Sequence, residues 1–343
     1  MDYSKLQNKD NIKILALETS CDETAAAVVE NGTRLLSNIV HSQIDLHAVY
    51  GGVVPEIASR AHVNTCDRVI DRALEAAKLT LQQVDCLAVT YGPGLVGALL
   101  TGVSCMKALA YAVGKPLIPV NHIHGHVYAN YLSEHKPDLP FVCLIASGGH
   151  SHIIIMRQNN EYEIVGRTVD DAAGEAFDKA ARVLELPYPG GPKLSELAEQ
   201  GDPVALRLPN PKVEHPYDFS FSGLKTAFIN AAHKLTQSGQ AIPKADFAAS
   251  FEKTVTDILV QKTIAVAQDY GIRNVCIAGG VSANKRLRTK LIKECEEYQL
   301  TPFMPKLEFC TDNAAMIASA AYYALQKGCF ADLTLNAVPN LKI

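Results

Sequence analysis

Two histidines four residues apart, His122 and His126, are where this sequence first suggests chemistry. On a helix that spacing puts both imidazoles on one face, one turn apart, which suits a divalent transition metal. A pair is an incomplete site, and the missing ligand, usually a carboxylate, must come from elsewhere in the chain. The bare spacing also fits two polar residues at a helix start, which is the commoner case. His124 falls off the shared face and reads as a structural or supporting group. A zinc protease of the HExxH type needs a glutamate beside the first histidine as general base; Ile123 stands there, which weakens a protease reading.

Glycine turns are the second signal. Ser147-Gly148-Gly149-His150 follows an apolar run directly, and Gly279-Gly280 lies between an apolar run and a helical pattern. Glycines let backbone N–H groups approach an anion, and a helix N-terminus adds its dipole. Either pair alone is an ordinary tight turn; together they favour a nucleotide held between two lobes. Asp22 and Glu23 form a carboxylate pair that could act as general base or cap backbone N–H groups. Glu175 and Asp178, three apart, could bind ribose hydroxyls or a metal, or form a solvated helix face. Lys285-Arg286-Leu287-Arg288 with Lys290 and Lys293 could meet phosphates or be a charged helix face.

These residues need elements to position them. Residues 12–17 are an apolar strand, 18–24 a polar turn, 25–29 a second strand, and Asn31-Gly32 a hairpin signal. Residues 141–146, 147–150 and 152–156 repeat that strand–turn–strand pattern, which suggests a duplicated fold. Residues 58–79 carry one amphipathic helical pattern. Residues 86–114 are apolar enough to imitate a membrane span, but Gly92-Pro93-Gly94 divides them into a buried strand and a helix from about Val96. Residues 187–216 are proline-rich and read as an irregular functional loop. Residues 247–270 are a long helix, and a last helix runs from about Asp312 to Gln326 with Thr311 as its N-cap.

Composition excludes several classes. The chain has 343 residues, so two domains are expected, with 48% hydrophobic and 20% charged residues. A net charge of -4 excludes a basic field over the whole surface, so any nucleic-acid contact needs a local patch. With no Trp there is no Trp-lined stacking groove. Nine scattered cysteines with no CxxC pair read as reduced thiols, and the polar start of the chain does not read as a secretory signal.

Taken in order, nine segments resemble one family. They are Leu17-Glu18-Thr19-Ser20-Cys21-Asp22-Glu23-Thr24, Gly51-Gly52-Val53-Val54-Pro55-Glu56, Gly92-Pro93-Gly94-Leu95, Asn121-His122-Ile123-His124-Gly125-His126, Ser147-Gly148-Gly149-His150, Gly174-Glu175-Ala176-Phe177-Asp178-Lys179, Phe219-Ser220-Phe221-Ser222-Gly223-Leu224-Lys225, Gly279-Gly280-Val281-Ser282-Ala283-Asn284 and Thr311-Asp312-Asn313-Ala314-Ala315-Met316. The chain resembles the bacterial TsaD family, tRNA threonylcarbamoyladenosine-forming transferases once described as glycoproteases, over residues 12–330.

The resemblance implies an α/β fold of two duplicated lobes of the actin, hexokinase and sugar-kinase (ASKHA) type around a central ligand cleft. It implies a partner-binding lobe of residues 1–136 plus 313–343 and a nucleotide- or adenylate-binding lobe of residues 137–312. Asp312 becomes the third metal ligand beside His122 and His126, for one divalent ion per subunit, Fe2+ with Zn2+ as the alternative. Substrate contacts fall on Ile145, Ala146, Ser147, Gly148, Gly149, Asp178, Gly191 and Asn284. Ile145 stands where some archaeal and eukaryotic relatives place a tyrosine ligand. The implied reaction transfers threonylcarbamoyl from threonylcarbamoyl-AMP to N6 of adenosine-37 in tRNAs reading codons that begin with A, with Asp22 or Glu23 as base. The implied partners are the tRNA anticodon loop, a TsaB-like paralogue, a TsaE-like ATPase and a threonylcarbamoyl-AMP synthase as supplier, in the cytoplasm and without a membrane. The alternatives are a small-molecule kinase of the same fold, a metalloprotease and a non-catalytic scaffold.

Overall fold

A computed structural model of the chain describes residues 4–343; the first three residues of its polar start lie outside them. The chain forms two compact units, one running through Lys136 and resuming over Pro305–Ile343, the other spanning Pro137–Met304. The return to the first unit therefore comes at Pro305, not at residue 313. The short strand Thr301–Phe303 is the last edge of the second sheet, and from Pro305 onward the chain packs with the first unit.

Each unit is built on a five-stranded sheet. In the first, β1 (Lys13–Glu18), β2 (Glu23–Glu30), β3 (Arg34–Ser42), β4 (Cys86–Gly92) and β5 (Leu117–Asn121) take the order β3-β2-β1-β4-β5. In the second, β6 (Phe141–Ala146), β7 (Ser151–Gln158), β8 (Glu161–Arg167), β9 (Asn274–Ala278) and β10 (Thr301–Phe303) take the order β10-β9-β6-β7-β8. Read from the opposite edge, the second order is the first. In both, the leading strand pairs antiparallel with the next strand and parallel with the fourth. The expected duplication is present.

β1 and β6 are central strands, buried on both faces, which is why each reads as an unbroken apolar run rather than an alternating one. In β1, Leu15 and Leu17 join a core with Val69, Ile70 and Leu74 of the helix Cys66–Ala77 and Val103 and Met106 of the helix Val96–Val113. The alternate residues, Ile14, Ala16 and Glu18, share the other face by the two-residue period of a strand. In the second unit Val142, Leu144 and Ala146 pack with Phe177, Phe228 and Phe251 from three helices.

Three expectations change. Residues 58–79 are two helices, Pro55–Val63 and Cys66–Ala77, broken at Asn64-Thr65. The first packs on the helix Val96–Val113 and the second on β2 and β3, and one straight helix cannot cover both. The proline-rich stretch contains the helix Gly190–Ala198, in which Pro192 falls in the first turn, where a missing N–H costs nothing. The last helix is Ala314–Gln326, capped by Asn313 rather than Thr311: Asn313 Oδ1 accepts the Met316 N–H at 3.0 Å. The helix Val96–Val113 has the length and composition of a membrane span; Ala98, Leu99, Val103 and Met106 are buried, while Val96, Leu100 and Tyr111 are exposed. All nine cysteines are free.

Candidate active site

In the first unit, the helix His122–Tyr128 starts where β5 ends, with Asn121 as N-cap accepting the Ile123 N–H at 2.9 Å. It lies against the helix Ala314–Gln326, and Gly125 makes the close approach: a Cβ there would meet Ile317 Cδ1 at 2.6 Å. Asp312 sits just before the Asn313 cap and so faces the two histidines. His122 Nε2 and His126 Nε2 lie 3.4 and 3.3 Å from Asp312 Oδ1, and one ligand atom from each residue falls within 4.8 Å of the others.

These residues fit a metal ion. With metal–ligand distances of about 2.0–2.1 Å, neighbouring ligands of a tetrahedral ion stand about 3.3–3.4 Å apart. His126 Nδ1 is buried without a hydrogen-bond partner and its Nε2 faces the Asp312 carboxylate, although a buried imidazole ordinarily satisfies both nitrogens. Burial holds His126 below the usual histidine range despite the nearby Asp312, which keeps it in the neutral, ligating form. Burial alone would raise the Asp312 carboxyl, but His122 and His126 outweigh it and keep it ionised. At His122 burial pushes down, and the carboxylates of Asp312 and Glu18 reverse that, so the ring favours a proton well above its ordinary range. Asp312 beside both rings and Glu18 behind His122 thus give this largely buried cluster the negative charge that a bound cation would balance.

Glu18 is the residue that motif reading passed over. It ends β1 on the face of Ile14 and Ala16, is fully buried, and accepts bonds from the Ser20 N–H and the Thr90 hydroxyl, both at 2.5 Å. Its Oε2 lies 3.2 Å from His122 Nδ1, and Ser20 Oγ lies 3.1 Å from the same nitrogen. That contact turns His122 Nε2 toward Asp312, the arrangement in which an outer carboxylate orients a metal-binding histidine. The available signal was a carboxylate closing a wholly apolar strand. Glu23, at the start of β2, accepts from Ser42 Oγ at 2.8 Å and leaves Oε2 buried without a partner. Burial, with smaller contributions from Asp22 and Asp312, pushes its carboxyl up to about 7.

In the second unit the expected substrate residues form a linked set. Ile145 and Ala146 are the buried end of β6, and Ile145 offers no metal ligand. Ser147 N–H donates to the His150 carbonyl at 2.8 Å, closing the turn, and the Ser147 carbonyl accepts the Gly174 N–H at 3.1 Å. Gly279 (φ +85°) lies so close to the Ala146 carbonyl that a Cβ would stand 2.4 Å from it. Gly148, Gly149 and Gly280, by contrast, would point a Cβ into open space. Asp178 Oδ1 accepts the Gly191 N–H at 3.0 Å. Glu175 does not join it and pairs with Lys179. Asn284 is fully engaged: its amide donates to Ser195 Oγ and Glu252 Oε1 at 2.8 and 2.7 Å, and its Oδ1 caps the helix Lys285–Glu297 through the Leu287 N–H. The 3-10 turn Gly280–Ala283, which begins on the second glycine, separates Gly279 from that helix, so its dipole acts at Asn284. In the basic run, Lys285 pairs with Glu199, and Lys290 with Asp257 and Glu294.

The sequence model of TsaD, tRNA N6-adenosine threonylcarbamoyltransferase, matches residues 34–319. The chain belongs to the TsaD family. A family member from Caldicellulosiruptor bescii, named tRNA N6-adenosine threonylcarbamoyltransferase, is 52% identical over 330 residues, 96% of this chain and 98% of its own. A TsaD relative of the same name from Symbiobacterium thermophilum is 53% identical over 328 residues, 96% of each chain. Solved structures extend the likeness in fold alone. T. kodakarensis HypF superposes with a TM-score of 0.64 at 15% identity, over 93% of this chain and 48% of its own. The Acidaminococcus fermentans (R)-2-hydroxyglutaryl-CoA dehydratase component A gives 0.53 at 15%, over 93% and 99%. Both agree with the duplicated ASKHA-type α/β plan of this TsaD member.

Proposed function

We propose that this chain transfers the threonylcarbamoyl group of threonylcarbamoyl-AMP to N6 of adenosine-37, in tRNAs reading codons that begin with A, and releases AMP. The observation that carries this reading is the largely buried His122–His126–Asp312 set in a TsaD-family chain, with both histidine Nε2 atoms turned on one Asp312 oxygen. Fe2+ is the ion we assign to these donors, with Zn2+ the alternative that imidazole and carboxylate also suit. A metal bound there supplies Lewis acidity toward negative charge developing on the carbamoyl oxygen.

The remaining roles belong to the chain's own residues. Ile145, Ala146 and Ser147 bring the β6 turn to the adenylate, where Gly148 and Gly149 leave room for its phosphate. Asp178 fixes Gly191, and Asn284 fixes the start of the helix Lys285–Glu297. N6 attacks the carbamoyl carbon, the carbon–oxygen bond to phosphate breaks, and AMP leaves with the electron pair. Glu23, whose carboxyl is pushed up to about 7 by burial and, to a lesser extent, by the neighbouring Asp22 charge, takes the N6 proton, with Asp22 as the alternative base. An adenine in an anticodon loop is easier to unstack than one in a duplex.

With a net charge of -4, tRNA binding relies on a local patch, on partners or on both. The partners in this reading are a TsaB-like paralogue, a TsaE-like ATPase and a synthase that makes threonylcarbamoyl-AMP, all cytoplasmic. The test is reconstitution: purified chain, tRNA, threonine, bicarbonate, ATP and those proteins, with mass analysis of the digested nucleosides as readout. Threonylcarbamoyladenosine that depends on this chain supports the reading. Its absence, or phosphorylation of a small molecule without tRNA, overturns it.

A further inference from the structure

We propose that residues 338–342 form a strap that positions the ligand helix His122–Tyr128, and that Gly92-Pro93-Gly94-Leu95 is the junction through which it acts. The inference rests on the metal reading of His122 and His126 and goes beyond it, since no ligand lies in the strap.

The last helix ends at Gln326, and the chain then crosses the first unit. Ala331 bridges to Leu117 of β5, its N–H donating to the Leu117 carbonyl at 2.8 Å. Lys107 Nζ donates to the Leu335 carbonyl at 2.8 Å. The Val338 N–H donates to the Tyr91 carbonyl at 2.7 Å, and the Pro339 carbonyl accepts the Gly94 N–H at 3.1 Å. The Lys342 carbonyl accepts from Asn121 Nδ2 at 2.9 Å.

Two routes lead from this segment to His122. The direct one is Asn121, whose Oδ1 caps the ligand helix while its Nδ2 is tied to the strap. The second runs through the glycine turn. Gly92 has no room for a Cβ, which would stand 2.1 Å from the Val338 carbonyl, and Gly94 has none beside the Ser20 carbonyl, at 2.5 Å. The Leu95 N–H donates to that Ser20 carbonyl at 2.8 Å, and Ser20 Oγ lies 3.1 Å from His122 Nδ1. The glycines are thus explained by close approach of backbone on both sides of the turn. A helix of seven residues cannot hold its own direction, because isolated helices this short are unstable. Packing against the helix Ala314–Gln326 holds its body, while Asn121 fixes its start and Ser20 and Glu18 fix its first ligand.

The test compares the full chain with Asn121→Ser, which keeps a capping oxygen but cannot reach Lys342, and with a deletion of residues 337–343. Co2+ is the probe, monitored by its visible absorption in a chelator competition, and amide exchange is measured in the metal-free proteins. Both variants are expected to bind Co2+ about tenfold more weakly, the scale of losing an outer-shell contact, and to exchange the Val127 and Tyr128 amides at least tenfold faster. The melting temperature of Asn121→Ser checks that the fold is intact. Unchanged exchange at those amides in Asn121→Ser overturns the strap, whatever the deletion does. Absence of Co2+ binding by the unaltered chain overturns the metal reading instead, and the exchange arm still decides the strap.

Discussion

The two units share one strand plan and end their leading strands in opposite ways. β1 closes on Glu18 and runs into a polar turn, whereas β6 closes on Ala146 and runs into Ser-Gly-Gly. In the first unit the turn supplies side chains: Glu18 orients His122, Ser20 touches the same ring, and Glu23 holds a carboxyl near neutrality. In the second, side chains are removed, so that Gly148, Gly149 and Gly280 leave open space while Gly174 and Gly279 let the backbones close behind it. The scaffold sets the place of chemistry, at the ends of parallel strands, and the residues standing there set its kind.

The contrast can be broken most severely at the ligands. His126→Ala is expected to lower threonylcarbamoyladenosine formation more than about 100-fold and to strip the bound metal, read by elemental analysis of the purified protein. Retained activity in a folded variant would take the metal out of the mechanism. Next come the glycines, where the two kinds should separate. Gly279→Ala should cost about 1–3 kcal/mol, since φ is +85° and the Ala146 carbonyl is in the way. Gly148→Ala should leave the melting temperature nearly unchanged and raise KM for the adenylate. Equal thermal losses would erase the distinction between packing and cradle glycines.

Glu18→Gln keeps the shape but removes the charge behind His122, and should weaken metal binding roughly tenfold, read by chelator competition. Glu23 sharpens the contrast through pH. Below about 7 its carboxyl is protonated and cannot accept the N6 proton, so the rate should climb through that pH, and Glu23→Gln should flatten the climb. The same burial favours folding below the ordinary carboxyl range, and that contribution is lost as pH rises through about 7. The smallest effect belongs to Lys285→Ala, whose exposed pair with Glu199 is screened by solvent, so the melting temperature should stay unchanged.

Much of this was legible beforehand. The duplicated strand–turn–strand units follow from apolar runs and glycine turns, because a buried central strand needs an unbroken run and a tight turn needs glycine. The His122 and His126 pairing follows from helical spacing. The helix break at Asn64-Thr65 was not legible, since neither residue interrupts the apolar period and only the two surfaces to be covered require a bend. Nor was the helix Gly190–Ala198, hidden among prolines that suit a first turn. Glu252 sits within a long apolar helix pattern, where nothing marks it as the partner of Asn284.

Residue type and period are enough to say which residues could do chemistry and roughly which element each stands on, because those are local properties of the chain. Which of them meet depends on the fold, and Asp312 joins the two histidines in the sequence reading through family resemblance and not through any local pattern. Asp312 reaches His122 and His126 from 186 positions further along than His126, because Asn313 ends the last helix and Gly125 lets the two helices close. The Lys342 carbonyl reaches Asn121 because the chain returns along β5 and the end of β4. Such contacts join residues far apart in the chain, and no local pattern encodes their distance.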